Sequence, residues 1–308
     1  MVKINLALTD LRVVTFLALT ACFLWGSAFP GVKYGYALLG IAPKDPASQL
    51  VFAGFRFTLA GLMVLFIAQI SGRSVFSFSF GEWLKTAGLG LLITTLQYSF
   101  FYPGLANTTG VKGAIITATG IFFNVILSHF LFRNDRLNIC TIIGCFTGFL
   151  GVVAVNYGTF NSGFSFSARG ELFLVIASFL HASGNIYGKI LSQSINPVLM
   201  TGWQLFIGGM ALTGLGFAGG GSPGHFNLPG VLLLGYLAFL SAAAFVIFAE
   251  LMKHNPVSRV SIFSFSIPLF GAALSAIFLD EKLLEMKNLT ALILVSSGIW
   301  LVTTRGRK

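Results

Sequence analysis

The sequence predicts an all-α integral membrane protein of ten transmembrane helices, arranged as two inverted five-helix repeats. Three observations carry that fold class. Only 9% of the 308 residues are Asp, Glu, Lys or Arg and 56% are hydrophobic, whereas a soluble domain averages about 25% charged residues. Ten apolar segments reach or approach the roughly 20 residues a helix needs to cross a bilayer. They are 13–36, 47–70, 84–104, 111–132, 139–157, 170–191, 197–218, 229–252, 258–279 and 287–304. Finally, Phe23 to Tyr34, F-L-W-G-S-A-F-P-G-V-K-Y, returns 156 residues later as Phe179 to Ile190, F-L-H-A-S-G-N-I-Y-G-K-I, with Phe, Leu, Ser and Lys in matching places.

Each segment has its own reason to span. The first follows a basic start and contains Leu19-Thr20-Ala21-Cys22, which has the look of a lipoprotein cleavage box. The chain stays apolar after Cys22, so a retained helix is expected. Pro30 removes a backbone donor inside that helix, which a bilayer tolerates where neighbours re-satisfy the backbone. The second segment holds Arg56, expected to bond carbonyls of neighbouring helices. The third clusters Gln97, Tyr98, Phe101 and Tyr102, and the fourth aligns Thr117, Asn124 and Ser128. The fifth carries Gly144, Gly148 and Gly151, which permit close backbone packing and mark it as scaffold.

The sixth places Ser178, His181, Asn185 and Lys189 on one stripe, since positions three and four apart share a helix face. Such a stripe is costly against lipid and is expected to face the bundle interior. Ile190 to Ala249 contains no Asp, Glu, Lys or Arg, but Gly219 to Gly224 divides it into the seventh and eighth spans. That glycine run lacks the Gly-Lys-Ser/Thr ending of a phosphate-binding loop and reads as a connection. The ninth aligns Ser261, Ser264, Pro268 and Ser275, and the tenth closes the set.

Charge sets the orientation. The net charge of +10 marks cytoplasmic loops in so apolar a chain, and not a nucleic-acid surface. With the N-terminus inside, twelve Lys or Arg, from Lys3, Arg12, Arg73 and Lys85 through Arg133, Arg136, Lys189, Lys253, Arg259, Arg305 and Arg307 to Lys308, lie at cytoplasmic positions. Five, Lys44, Lys112, Arg169, Lys282 and Lys287, lie outside. Both termini are therefore expected in the cytoplasm, with the protein in the cytoplasmic (inner) membrane. Residues 1–160 and 165–308 would each hold five helices, an odd number, so the second copy inserts upside down. Arg56 then corresponds to Gln204, and L-F-R-N-D-R-L at 131–137 to I-F-L-D-E-K-L at 277–283. Inverted repeats of this kind characterise secondary transporters, whose substrate sits near the midplane between halves. Cys22, Cys140 and Cys145 all fall in apolar segments, which argues against a disulfide framework.

The ordered set W-G-S-A-F-P with Lys33, R-F-T-L-A at 56–60, S-I-P-L-F at 266–270 and L-D-E-K-L at 279–283 resembles the drug/metabolite transporter superfamily in its EamA-type branch. The resemblance covers nearly the whole chain. Two places depart from it: His181 stands where the first copy has Trp25, and G-I-F-F-N at 120–124 lacks the proline that the second copy has at Pro268. It implies ten helices in inverted halves moving small metabolites by alternating access, with substrates that vary widely.

Candidate substrate-binding residues are Trp25, Lys33, Tyr98, Tyr102, Asn124, His181, Asn185, Lys189 and Ser264. For the polar ones, bonds between helices compete with lining a wet pathway. No acidic residue sits at the centre of any span. Cationic groups framed by aromatics suit a partly apolar molecule with a carboxylate, such as an amino acid or related organic acid. Export is the expected direction, with import or drug export as the alternatives. An embedded enzyme would need a nucleophile with a base, a carboxylate pair or a metal cluster, and the spans offer none of these. The expected partners are a small-molecule substrate, membrane lipid, and protons through His181. No cofactor, metal or nucleic acid is expected, and monomer and homodimer both fit.

Overall fold

The computed structural model describes residues 8–131, 139–156, 167–255, 260, 262–280 and 286–304. Lys3, Arg133, Arg136, Arg259, Ser261, Lys282, Arg305, Arg307 and Lys308 lie outside the described residues, as does most of the 131–137 motif. Among the described residues the chain is all-helical. Helices α1 (Leu11–Leu39), α2 (Pro46–Ile70), α3 (Phe80–Gly90), α4 (Gln97–Ala106), α5 (Gly110–Thr117) and α6 (Thr119–Leu131) come first. After them come α7 (Ile139–Asn156), α8 (Phe173–Leu191), α9 (Pro197–Ala218), α10 (Leu228–His254), α11 (Ser266–Leu279) and α12 (Met286–Thr304). Five continuous stretches, Leu11–Leu39, Pro46–Ile70, Gly110–Leu131, Pro197–Ala218 and Leu228–His254, are long and apolar enough to cross a membrane. The protein is a multi-pass membrane protein.

Local chemistry sets the helix ends. Asp10 caps α1, its carboxylate accepting from the Arg12 and Val13 amides at 2.9 and 3.2 Å, and Gly40 ends it at φ +69°, a left-handed turn that favours glycine. Pro46, Pro197 and Pro229 stand in first turns, where a missing N–H costs nothing. Pro30 is buried within α1, which continues past it. A π-helical turn, Leu91–Leu96, joins α3 to α4. An extra residue in a turn rotates the helix beyond it, so this turn re-aims Gln97, Tyr98 and Phe101.

Packing depends on residue size. The extensive seam of α2 against α9 needs glycine: a Cβ at Gly61 would lie 2.7 Å from Phe206 Cα and 2.8 Å from the Gly202 carbonyl oxygen. Helix α7 packs on α12 in the same way, a Cβ at Gly298 lying 2.7 Å from the Gly148 nitrogen, as the glycines of the fifth segment led us to expect. Large apolar side chains such as Phe16, Phe66, Phe130 and Ile277 remain exposed, the surface that lipid would cover.

Candidate functional site

A cavity of about 870 Å³, including its open mouth, lies where α1, α2, α4, α5, α6, α8, α10 and α11 converge. Five aromatic side chains and a histidine stand in its walls. Trp25 stands edge-on to His181, with ring centroids 6.3 Å apart, and packs on Phe248 at 5.0 Å. Phe29 meets Phe101 at 6.0 Å, and Tyr98 lies 4.2 Å from the buried Phe57 ring. These rings offer apolar bulk with few rotamers to freeze.

Polar side chains make up nine of the nineteen lining residues. Arg56, 2% exposed, lines the cavity and is tied to the helices around it. Its Nε donates to the Leu237 carbonyl at 3.1 Å and to Ser241 Oγ at 2.9 Å, and Nη1 donates to the Tyr102 hydroxyl at 3.0 Å. The guanidinium also lies 4.9 Å from the Phe57 ring centroid. All these partners are neutral: among the described residues no carboxylate pairs with Arg56. On the same walls Gln97 Oε1 and Asn124 Oδ1 are buried and accept no hydrogen bond from any described residue. Ser178 instead gives its hydroxyl to the Leu174 carbonyl at 2.7 Å.

A second cavity, about 470 Å³, shares Trp25, Asn185 and Phe248 with the first and is also lined by Lys189 and Gln204. The stripe on α8 therefore runs from one space into the other: Ser178 and His181 line the first, Asn185 both, and Lys189 the second.

Of the nine candidates, Trp25, Tyr98, Asn124, His181, Asn185 and Ser264 meet around the first cavity. The other three lie elsewhere. Tyr102 is fully buried behind the wall and receives Arg56. Lys33 donates to the Thr108 carbonyl at 2.5 Å, and Lys189 donates to the Met252 and Asn255 carbonyls, the latter at 3.2 Å. Both lysines thus reach carbonyls at or just past a helix C-terminus, where a cation is favourable. Conversely, Arg56 and Gln97 line the cavity although neither was a site candidate. The signal for Arg56 was available, since a mid-span cation without a mid-span acid has to find neutral partners or a ligand. The carbonyl bond expected of it is present, to Leu237.

Described residues show no group of His, Cys, Asp and Glu that could hold a metal ion. Two ion pairs are described, both away from the first cavity: Lys112 with Glu171, and Glu250 with His254 at 3.5 Å.

The model of the EamA-like transporter family matches residues 13–157 and 168–304. The chain belongs to that family. EamA-like proteins are transporters of the drug/metabolite superfamily, so the chain is a membrane transporter and not an enzyme. A WAT1-related chloroplastic protein of Arabidopsis thaliana is 24% identical over 91% of this chain, and the match spans 66% of that longer protein. A probable amino-acid metabolite efflux pump of Escherichia coli is 27% identical over 92% of this chain and 93% of its own length. One solved crystal structure superimposes with a TM-score of 0.72 at 18% identity, covering 96% of this chain and 98% of that one, which supports the fold.

Proposed function

We propose that this EamA-like protein is a secondary transporter that exports a small metabolite bearing a carboxylate, an amino acid or related organic acid, by alternating access. One observation carries the substrate class. A permanent cation, Arg56, stands in the wall of an aromatic cavity and has no carboxylate partner among the described residues. Burying a charge without a counter-ion costs several kcal/mol, roughly speaking, even after relaxation. A substrate carboxylate would offset that cost, and a guanidinium fork suits its planar geometry. Trp25, Phe29, Phe101 and Phe248 would take the apolar remainder.

In this reading the described helices form ten spans in two inverted halves, 1–160 and 165–308, with both termini in the cytoplasm of the inner membrane. Two features support the duplication. The family match divides at 157 and 168. Lys33 and Lys189, 156 residues apart, reach the carbonyls of Thr108 and Asn255, themselves 147 residues apart. Each lysine would then brace the end of the third helix of its own half. Export is supported by the E. coli relative described as an efflux pump, and by nothing in the cavity itself.

Counterflow in proteoliposomes tests the substrate class. An amino acid should be carried at least about tenfold faster than its amide, the loss expected when a charged hydrogen-bond partner disappears. Equal rates would sink the carboxylate requirement. Uptake into everted vesicles against uptake into intact cells tests direction.

A further inference from the structure

The two ends of the central cavity are built from corresponding positions of unlike size. Toward the end where α1 finishes, three buried rings stand against one another. Tyr36 lies 5.8 Å from Phe52 and 6.3 Å from Tyr102, and Phe52 lies 6.2 Å from Tyr102, all edge-on. The Tyr36 hydroxyl donates to the Tyr102 carbonyl at 3.3 Å. Phe52 rests on bare α1 backbone, where a Cβ at Gly35 would lie 2.5 Å from its Cζ. Helices α1, α2 and α4 each supply one ring, so the cluster fills the space between them. The other end is reached along α10, which begins where Asn227 bonds the Leu38 carbonyl and finishes where Asn255 bonds the Leu8 carbonyl. There the second cavity continues the first. The spacings that relate Lys33 to Lys189, Arg56 to Gln204 and Thr108 to Asn255 carry Tyr36 to Ser192, Phe52 to Met200 and Tyr102 to Ala249. All three, none of them aromatic, line the second cavity. Where the first half places rings, the second half leaves space.

We propose that Tyr36, Phe52 and Tyr102 are the gate that closes the transport path at the α1 end, and that the second cavity is the half of the path left open. This rests on the two inverted halves described above and adds which residues part during transport. It does not depend on what the cargo is. When one half rocks against the other to expose the cavity at its far end, these three rings are what must separate, since they come from three different helices. Edge-on aromatic contacts are individually weak and a ring has few rotamers, so the cluster can part and re-form in one arrangement. The non-aromatic counterparts in the second half explain why the two ends are not equally closed.

The test uses the full chain in right-side-out and everted membrane vesicles, with Cys22, Cys140 and Cys145 replaced by alanine. Thr117→Cys, on the wall of the first cavity, is the reporter. The probe is sulfonatoethyl methanethiosulfonate, a thiol reagent whose charge keeps it from crossing the bilayer. Ser74→Cys, between α2 and α3, and Lys44→Cys, between α1 and α2, mark the two faces, both positions being exposed. The reporter should react at least about tenfold faster from the Ser74 face than from the Lys44 face, because a site open only in a minor state reacts in proportion to that state's population. Tyr36→Ser with Phe52→Met puts the second half's residues into the gate and should bring the Lys44-face rate to within about threefold of the other. If that pair fails to fold, Phe52→Leu alone removes one ring and should raise the Lys44-face rate about threefold or more. Parent rates within about threefold of each other, a faster rate from the Lys44 face, or no reaction from either face would overturn the gate. So would a folded gate variant whose Lys44-face rate is unchanged. Ser74→Cys and Lys44→Cys reacting from the same face would bring down the inverted halves as well, whereas opposite faces with equal reporter rates bring down the gate alone.

Discussion

The α2–α9 seam and the cavity are both buried, yet they are built in opposite ways. At the seam, side chains are removed so that backbones can touch: Gly61 meets Phe206 and Gly202, and Gly209 meets Phe57 and Thr58. Around the cavity, side chains are large and stand apart, and Arg56, Gln97 and Asn124 keep polar capacity that the protein does not use. Without a hydrophobic driving force between helices in lipid, close packing of small residues is what holds them together. The seam therefore supplies rigidity, and the cavity supplies space with Arg56 in its wall. A substitution at the seam should cost structure, and one in the cavity should cost binding.

Gly61→Leu is the severest way to break this contrast. The added Cβ meets backbone, at 2.7 Å from Phe206 Cα, and backbone cannot rotate aside. A cost above about 4 kcal/mol is expected, the range of overpacked rigid contacts. The variant should give no monodisperse peak on size-exclusion chromatography in detergent. Gly88→Ala, where an added Cβ meets nothing within 4 Å, should elute as the parent does. A well-folded Gly61→Leu protein would show the seam to be compliant.

Arg56→Met comes next, because Arg56 both lines the cavity and ties α2 to α10 and α4. It removes the donors to Leu237, Ser241 and Tyr102 along with the cavity's cation. Amino-acid binding should fall about a hundredfold, from loss of a charge-assisted bidentate pair. Arg56→Lys should restore little, since an ammonium lacks the fork that serves three partners and a ligand at once. Leucine binding that survives Arg56→Met would move the anchor elsewhere in the cavity.

How much of this was legible depends on what each feature needs. The α8 stripe from Ser178 to Lys189 was readable because a period of 3.6 in an apolar segment has one physical explanation. The destination of its last member was not. A lysine stem is long, and the carbonyls of Met252 and Asn255 are backbone atoms that no residue identity announces. Lys33 escaped for the same reason, its partner being the Thr108 carbonyl. Gln97 was visible as part of a polar cluster but not as a cavity residue. The turn Leu91–Leu96 is π-helical, so counting by 3.6 from the start of α3 points it the wrong way. The helical class itself comes from composition together with the length of the apolar segments, and the structure is all-helical among the described residues.

A smaller effect is expected at Lys112 and Glu171. Unlike Arg56, Lys112 has its anion within reach, in a pair joining α5 to the turn before α8. Glu171 also accepts from the Ser167 amide at 2.9 Å. Glu171→Gln should lower stability by about 2 kcal/mol, between the values for exposed and for buried pairs. In thermal unfolding, the midpoint should fall while the affinity for leucine stays within about threefold, less than half a pKa unit's worth of energy. A large loss of affinity instead would tie this pair to the cavity.

The subtlest substitution is His181→Gln, which keeps a neutral hydrogen-bond donor opposite Trp25. The titratable or charged side chains lining the cavity are Arg56, Tyr98 and His181. Arginine stays charged throughout, and a tyrosine ordinarily titrates near pH 10, about three units above neutrality. Histidine is therefore the one of the three whose ordinary titration, as a free side chain, lies nearest neutrality. The substrate sets the sign. A carboxylate entering the cavity favours protonated His181, so by linkage protonation favours the carboxylate, and binding should tighten as pH falls from about 8 to 5.5. If that coupling drives transport, His181→Gln should bind leucine within about threefold of the parent at pH 8 and show a flat pH profile below it. If His181 only bridges helices, the variant should keep the parent's pH profile and differ in thermal stability. An unchanged profile with unchanged affinity would leave the cavity without a proton-linked group among its described residues, and coupling would have to be sought outside it.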